Sequence, residues 1–404
     1  MSTSFMYHAF GMKGYTYKRQ DFLAGNIIFK VQPKPRLIKC SHCKSKEVTQ
    51  RGQFERWVKT VPIGNKPVWI VISAPRVKCR RCGFVRRIDS QIAERRRWYT
   101  KAFERLALML SKSMTLKDVA EFLEVGWDAV KDIKKRYLSR KFGKPRLKDL
   151  KYIAIDEFSM RKNHKYMTVV LDIVSGAAVY VAEGKEAEAL KPFWKRLKCS
   201  GARIEGVATD MSKAYISSVL KNLPGTPIVF DHFHVVKLMN EKLSKIRRNL
   251  HKELSRAGEK SVLKGVRWVL LKNPENLDPN RDEKKRLEEA LEMNKPLAMA
   301  YYMKEDLRQI WSQPNKKQAT KILDNWIARA EASGVYHLMK MGRTLSKYRH
   351  GILAYYDHPI STGPLEGLNN KIKTMKRQAY GFRDMEFFKL RILSLHESKY
   401  ALTG

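Results

Sequence analysis

Three carboxylates stand where metal-dependent chemistry would need them. Asp156 lies in the run Ile155-Asp156-Glu157-Phe158, and Asp210 ends the run Gly206-Val207-Ala208-Thr209. Glu366 comes two residues after Pro364. Proline is favoured at the first helical position, so Glu366 falls in a first turn, where the helix dipole helps keep it ionised. Carboxylates at strand ends and on a neighbouring helix suit hard, oxygen-seeking Mg²⁺. Two such ions activate a nucleophile and stabilise a leaving oxygen in phosphodiester chemistry. Taken alone, each residue reads as a turn carboxylate or cap. The residues after Glu366 strengthen the chemical reading. Asn370, Lys373 and Arg377 share its helical face, so phosphate-seeking cations trail the carboxylate. Leu365, Leu368, Ile372, Met375 and Ala379 form the packing face. A plain amphipathic surface helix would carry a similar polar row. Glu157 points to the opposite face of its strand from Asp156 and is a poor third ligand.

A second constellation is built from sulfur. Cys40-Ser41-His42-Cys43 and Cys79-Arg80-Arg81-Cys82 are two C-x-x-C knuckles separated by residues 44–78. Each knuckle presents two thiolates from one tight turn, which suits one tetrahedral, structural Zn²⁺. The long spacer predicts a β-hairpin between the knuckles of a zinc ribbon. Gly83 fits a turn that needs positive φ. Five cysteines favour a reducing compartment and a metal over disulfides, and Cys199 reads as an ordinary packed thiol.

The elements that must carry these groups can be read from pattern. Leu116–Leu123 makes a first helix with Thr115 as N-cap, Glu124-Val125-Gly126 a turn, and Trp127–Tyr137 a second helix. This resembles a helix-turn-helix, with Lys131, Lys134 and Lys135 available to phosphates or bases. Its flanks are cationic: residues 76–101 and 131–151 each hold ten Lys or Arg against two Asp or Glu. From Tyr152 the texture turns to strands, with alternation that puts Ile153 and Ile155 on one face. The order β-β-β-α-β-α-β through Phe230 implies an α/β sheet with some antiparallel pairing. Residues 234–350 lack strand signals and read as helical. Trp268, Trp311 and Trp326 in this region suit a helical core better than stacking on a flipped base.

Composition sets the frame. The chain has 404 residues, with 81 Lys and Arg against 40 Asp and Glu, a formal charge of +41. A compact body so positive repels itself unless it meets a polyanion, which points to nucleic acid. Hydrophobic residues at 43% exclude a disordered basic tail. The apolar runs are short, so neither a membrane span nor a secretory signal is expected.

The order of these motifs resembles the transposases of the ISL-three insertion-sequence family. The resemblance rests on the paired knuckles, the helix-turn-helix, Ile155-Asp156-Glu157, Thr209-Asp210-Met211-Ser212 and Phe230-Asp231-His232-Phe233-His234. It rests further on Leu365-Glu366-Gly367-Leu368-Asn369-Asn370-Lys371-Ile372-Lys373 and Lys376-Arg377-Gln378-Ala379-Tyr380-Gly381-Phe382-Arg383. The family implies an RNase H-like catalytic domain interrupted by a long all-helical insertion, and a catalytic DDE triad of Asp156, Asp210 and Glu366. It also implies that Asp231 and His234 support the site without ligating metal. Where the family suggests an Asn before the Glu helix, this chain has Ser361-Thr362-Gly363.

The expected organisation is an N-terminal segment of unassigned role (1–35), a zinc ribbon (36–90) and a helix-turn-helix domain (91–145). The catalytic domain (146–234 and 351–404) then flanks the helical insertion (235–350). The expected function is cleavage of DNA at the inverted repeats of a mobile element and transfer of the 3′-hydroxyl ends to target DNA. Two catalytic Mg²⁺ or Mn²⁺ and one Zn²⁺ would serve it, in a homodimer or larger assembly on double-stranded DNA, in the cytoplasm at the nucleoid. Two other readings are a domesticated regulator that binds without cutting and a structural RNA-binding protein.

Overall fold

The computed structural model describes residues 5–161, 165–256, 263, 266–292 and 294–397. Small parts of the expected N-terminal segment, of the catalytic domain on both sides of the insertion, and of the insertion itself fall outside these residues. The chain divides into two compact units: Met1–Lys144 with Ile372–Leu390 and Glu397–Gly404, and Pro145–Lys371 with Arg391–His396.

In the first unit a short helix α1 (Phe5–Phe10) precedes strands β1 (Tyr15–Leu23) and β2 (Asn26–Pro33). Strands β3 (Val48–Ile63) and β4 (Lys66–Cys79) form the long hairpin expected between the cysteine knuckles, and β5 (Val85–Arg87) returns along β4. The sheet order is β1-β2-β4-β3, with β2 and β4 parallel. Residues 15–33 therefore belong to the same sheet as the ribbon. Val58, Val68, Ile70 and Val77 fill its core with Phe10, Phe29 and Val31. Helices α2 (Lys101–Leu110), α3 (Leu116–Phe122) and α4 (Trp127–Phe142) come next. Thr115 caps α3 in a reciprocal capping box with Asp118. Val119, Val130 and Ile133 are buried, whereas Phe122 is exposed.

The second unit is built on β6 (Tyr152–Arg161), β7 (Lys165–Asp172) and β8 (Ala178–Glu183), an antiparallel meander. After helix α5 (Lys191–Ser200), strand β9 (Gly206–Thr209) lies parallel to β6. After α6 (Lys213–Asn222), β10 (Ile228–Phe230) lies parallel to β9. The sheet order β10-β9-β6-β7-β8 is that of an RNase H-like domain. β6 is central, so Ala154 is buried along with Ile153 and Ile155, and the expected alternation gives way to a continuous apolar run.

The long helix α7 (His232–Arg256) leaves β10 and opens a helical region with α8 (Arg267–Leu271), α9 (Glu283–Glu292) and α10 (Lys295–Arg308). Helices α11 (Lys316–Ala332) and α12 (Tyr336–Leu353) complete it. These helices share one apolar core with the sheet, running from Ile153 and Phe230 through Val235 and Leu243 to Trp326 and Leu345. Gly351 explains how closely α12 approaches β10. A Cβ there would stand 2.3 Å from the Phe230 ring and 3.1 Å from the Ile228 carbonyl. Helix α13 (Gly363–Gln378) then carries Glu366, and α14 (Met385–Leu393) comes after it. Leu365, Leu368, Ile372 and Met375 of α13 are buried, as the sequence pattern requires. Among the described residues, no helix is long and apolar enough to cross a membrane.

Candidate active site

The strand register places three acids in a row. Ile155 pairs with Thr209, and Thr209 pairs with Phe230, on neighbouring parallel strands. The next residue along the chain is Asp156, within β6, and Asp210 and Asp231, just past β9 and β10. All three stand where the parallel pairing of these strands ends, at the carboxyl side where such strands present ligand-binding groups.

Their surroundings differ. Asp156 and Asp210 are half-buried, and burial pushes both carboxyls above the usual range. They also repel one another, which raises Asp156 further. Opposing this, Asp156 accepts from the Glu157 N–H at 2.8 Å and from Asn369 Nδ2 at 2.9 Å. Asp210 accepts from the Ser212 N–H at 3.0 Å. Asp231 is buried, yet its carboxyl is held low by His234, by the Thr362 hydroxyl and by the Phe233 N–H. His234 Nδ1 lies 3.5 Å from Asp231 Oδ2, and this pairing raises the imidazole pKa despite burial. Asp156 and Asp210 add to that rise. One imidazole thus faces three carboxylates, and it offsets their repulsion.

Asp231 also fixes the helix that brings Glu366. The Thr362 hydroxyl donates to Asp231 Oδ2, and the Glu366 N–H reaches the Thr362 carbonyl at 3.1 Å. Thr362 makes a polar contact immediately before the Glu helix, although it is not the Asn the family suggested. Glu366 is exposed in the first turn of α13, and Asn369 lies three residues on, on the same side of the helix. The Asn369–Asp156 bond therefore ties this stretch of α13 to β6. The oxygens of Asp156, Asp210 and Glu366 are not gathered within 4.8 Å of one another among the described residues. Paired carboxylates pushed up by burial and mutual repulsion, with all-oxygen donors, fit a hard divalent cation, which would relieve both effects.

Glu157 is half-buried and borders this group. Burial and the Asp210 charge raise its carboxyl, while the Tyr215 hydroxyl bonds to it. Of the tryptophans, Trp326 is fully buried with its Nε1 donating to the Met303 carbonyl at 2.7 Å. Trp268 is exposed beneath the Arg267 guanidinium, and Trp311 is half-buried near the His232 ring. Lys373 and Arg377 are exposed on the part of α13 that belongs to the first unit, and Asn370 is exposed on the part that belongs to the second.

The sulfur site is fully assembled. All four Sγ atoms of Cys40, Cys43, Cys79 and Cys82 lie within 4.8 Å of one another. Cys40 and Cys82 are 3.6 Å apart, and Cys43 and Cys79 3.5 Å. A tetrahedral ion with Zn–S of about 2.3 Å sets an edge of about 3.8 Å, so the cradle fits structural zinc. Gly83 takes φ 71°, as its turn requires. The Cys43 backbone amide leads in drawing the Cys40 thiol down to about 6. Against the Phe84 amide, burial and the neighbouring sulfurs push Cys82 up to about 12. Four adjacent thiolates need a cation.

On α4, Lys131 and Lys135 both pair with Asp384, at 3.2 and 3.1 Å, and Lys135 also with Glu386 at 2.7 Å. Lys134 donates to the Ser111 carbonyl. Asn369, Thr362 and Asp384 were not singled out from sequence. For Asn369 a usable signal existed: its place three residues after Glu366.

The sequence model of the ISL3 DDE transposase family, described as transposase, matches residues 153–392. The helix-turn-helix domain of transposase family ISL3 matches residues 89–138. The zinc-finger of transposase IS204/IS1001/IS1096/IS1165 matches residues 36–82. The chain is 32% identical to the transposase for insertion sequence element IS1001 of Bordetella parapertussis, across 95% of both chains. It is 28% identical to the transposase for element IS1557 of Mycobacterium tuberculosis, covering 94% of this chain and 90% of that one. Among solved structures it is similar to the Drosophila P element transposase strand transfer complex, at 10% identity and a TM-score of 0.37, covering 74% of this chain and 92% of that one.

Proposed function

We infer that this chain, which belongs to the ISL3 family of DDE transposases, cuts and joins DNA through Asp156, Asp210 and Glu366. The observation that carries the assignment is the register row that sets Asp156 and Asp210 side by side, with α13 tied to Asp156 through Asn369. Two Mg²⁺ or Mn²⁺ ions, when bound, supply the charge that lowers the pKa of an attacking water and stabilises the leaving oxygen. The protein's own groups do the rest. Asp156 and Asp210 present oxygens at one sheet edge, and Glu366 brings the third carboxylate from α13. Asn369 fixes the orientation of Asp156. Asp231, His234 and Thr362 hold the start of α13 and are support, not ligands.

In the first unit, the zinc ribbon and helix-turn-helix recognise the terminal inverted repeats. Lys131, Lys134 and Lys135 are the proposed contacts on α4, with Lys373, Arg377 and Asn370 of α13 on phosphates. Cleavage frees a 3′-hydroxyl, which the same carboxylates then direct at a target phosphodiester. Pairing two element ends requires at least two copies of the chain. The setting is the prokaryotic cytoplasm, at the nucleoid.

The test is cleavage of inverted-repeat DNA by the full chain in Mg²⁺, then in Mn²⁺. Asp156→Ala, Asp210→Ala and Glu366→Ala are each expected to lose at least about a hundredfold in cleavage while still binding the repeat. Equal cleavage by wild type and Asp210→Ala would sink the triad.

A further inference from the structure

Helices α7 and α12 leave a cleft beside Asp210 with a volume of about 870 Å³. Its walls are cationic. Lys237 and Lys242 come from α7, Lys213 from the start of α6, and Lys340, Arg343 and Lys347 from α12. The α12 cations fall at helical spacings of three and four, so they share one face. Besides Asp210, Glu241 is the one carboxylate among the described residues of the wall.

None of the six cations forms an ion pair with a described carboxylate. Other cations of this unit are paired, among them Lys272 with Glu283, Arg329 with Asp306, and Arg349 with Asp324. What sets the cleft apart is that six cations line one space. Lys242 shows its cost, since burial, and then Lys245 and Lys340, hold its ammonium below the ordinary value. Six cations against two carboxylates leave the cleft strongly positive, which favours a ligand that brings several negative charges.

Two rings complete the lining. Tyr336 is 67% exposed at the first turn of α12, and Lys347 stands 5.7 Å over the Tyr348 ring. Cations that track a backbone, with aromatic faces on which bases stack, are the means by which unpaired nucleic acid is bound without sequence preference. The cleft is of a size that encloses a few nucleotides.

We propose that the α7–α12 cleft binds an unpaired stretch of DNA strand leading to the phosphate that is cut at Asp210. This rests on reading Asp210 as catalytic, and it adds that the end must open locally for the strand to reach the carboxylates.

The test uses the full chain and a fluorescent oligothymidylate about 12 nucleotides long, compared with a duplex of the same length. The variants are Lys340→Glu with Arg343→Glu, Tyr336→Ala, and Asp210→Asn. Wild type should bind the oligothymidylate. The double reversal should weaken that binding at least about tenfold and reduce its salt slope by about 1.4, the share of two phosphate contacts on a single strand. Tyr336→Ala should weaken it about fivefold or more. Duplex binding should stay unchanged in both, and an unchanged melting temperature confirms that both fold. Unchanged oligothymidylate binding in the double reversal overturns the proposal, as does an equal loss on duplex, which would mark an unselective basic surface. Asp210→Asn should bind the strand at least as tightly as wild type does, since it removes a negative charge from the wall. If Asp210→Asn instead cleaves normally, the catalytic reading fails, and the strand-binding result still stands by itself.

Discussion

Asn369 donates one amide hydrogen to Asp156, while its Oδ1, equally buried, has no hydrogen-bond partner among the described residues. A buried acceptor left open costs about 1–3 kcal/mol, so its retention suits a group that meets substrate or an ordered water during the reaction. Asn369→Ala should release Asp156 to other rotamers. The expected result is a fall in kcat of about tenfold to a hundredfold with unchanged binding of repeat DNA, read by single-turnover cleavage. Unchanged kcat would reduce Asn369 to packing. The places of the three proposed acids were legible in sequence: Asp156 falls within the strand β6, Asp210 directly follows β9, and Glu366 lies in the first turn of α13. Asn369 and Thr362 were not, since their partners lie 213 and 131 residues away along the chain. No local pattern announces that Thr362 will meet a buried Asp231. The same holds for the unpaired cations of α12, which look like an ordinary solvated stripe until α7 is placed opposite.

Elements are where sequence pattern was strongest and where its misses have clear physical causes. The hairpin between the knuckles, the capped α3 and the strand–helix order of the catalytic sheet all arise from periodicity and turn residues. The burial of Ala154 does not, because it depends on β6 being the central strand of its sheet. The parallel pairing of β2 with β4 is also long-range and leaves no local mark. Two contacts between elements can be tested. Gly351→Ala would drive a methyl into Phe230 and force α12 away from β10. A loss of about 1–3 kcal/mol is expected in the unfolding of the second unit, measured by denaturant titration. Asp384 caps α14 through the Phe387 N–H at 3.0 Å and pairs with Lys131 and Lys135. Burial opposes its ionisation, but the Phe387 amide and the two lysines hold its pKa at about 2. A depressed carboxylate stabilises above its unfolded value of about 3.9 and loses that contribution as pH falls towards 2. Asparagine keeps the cap, so Asp384→Asn isolates the charge. The variant should be less stable by about 1 kcal/mol at pH 7, allowing for screening, and the gap should close between about pH 4 and pH 2. A gap that persists at pH 2 would assign the effect to the cap.

At the scale of the whole molecule, the two units depend on different metals for different reasons, and that separates them experimentally. The first unit's ribbon joins four thiolates at the ends of the β3–β4 hairpin, and the hairpin supplies Val58, Val68 and Val77 to that unit's own core. Zinc there contributes folding energy outright, since adjacent thiolates without a cation repel. The second unit's core runs from the sheet into the insertion helices and contains none of these cysteines. On the proposed reading, its carboxylates take metal on a scaffold that is already folded. Stripping all metal and restoring only Mg²⁺ should therefore leave the first unit destabilised, with salt-sensitive binding of repeat DNA lost. The second unit should keep its unfolding transition and its binding of single-stranded oligothymidylate. Adding Zn²⁺ should then restore repeat binding and, with Mg²⁺ present, cleavage. Calorimetry should show two transitions, of which zinc removal moves only one. The large excess of positive charge makes this outcome informative. With +41 overall, loss of the ribbon leaves ample charge for unspecific contact with DNA. A zinc-stripped protein that still selected repeat DNA over random duplex at physiological salt would show that recognition does not depend on the ribbon, and would transfer it to the helix-turn-helix alone.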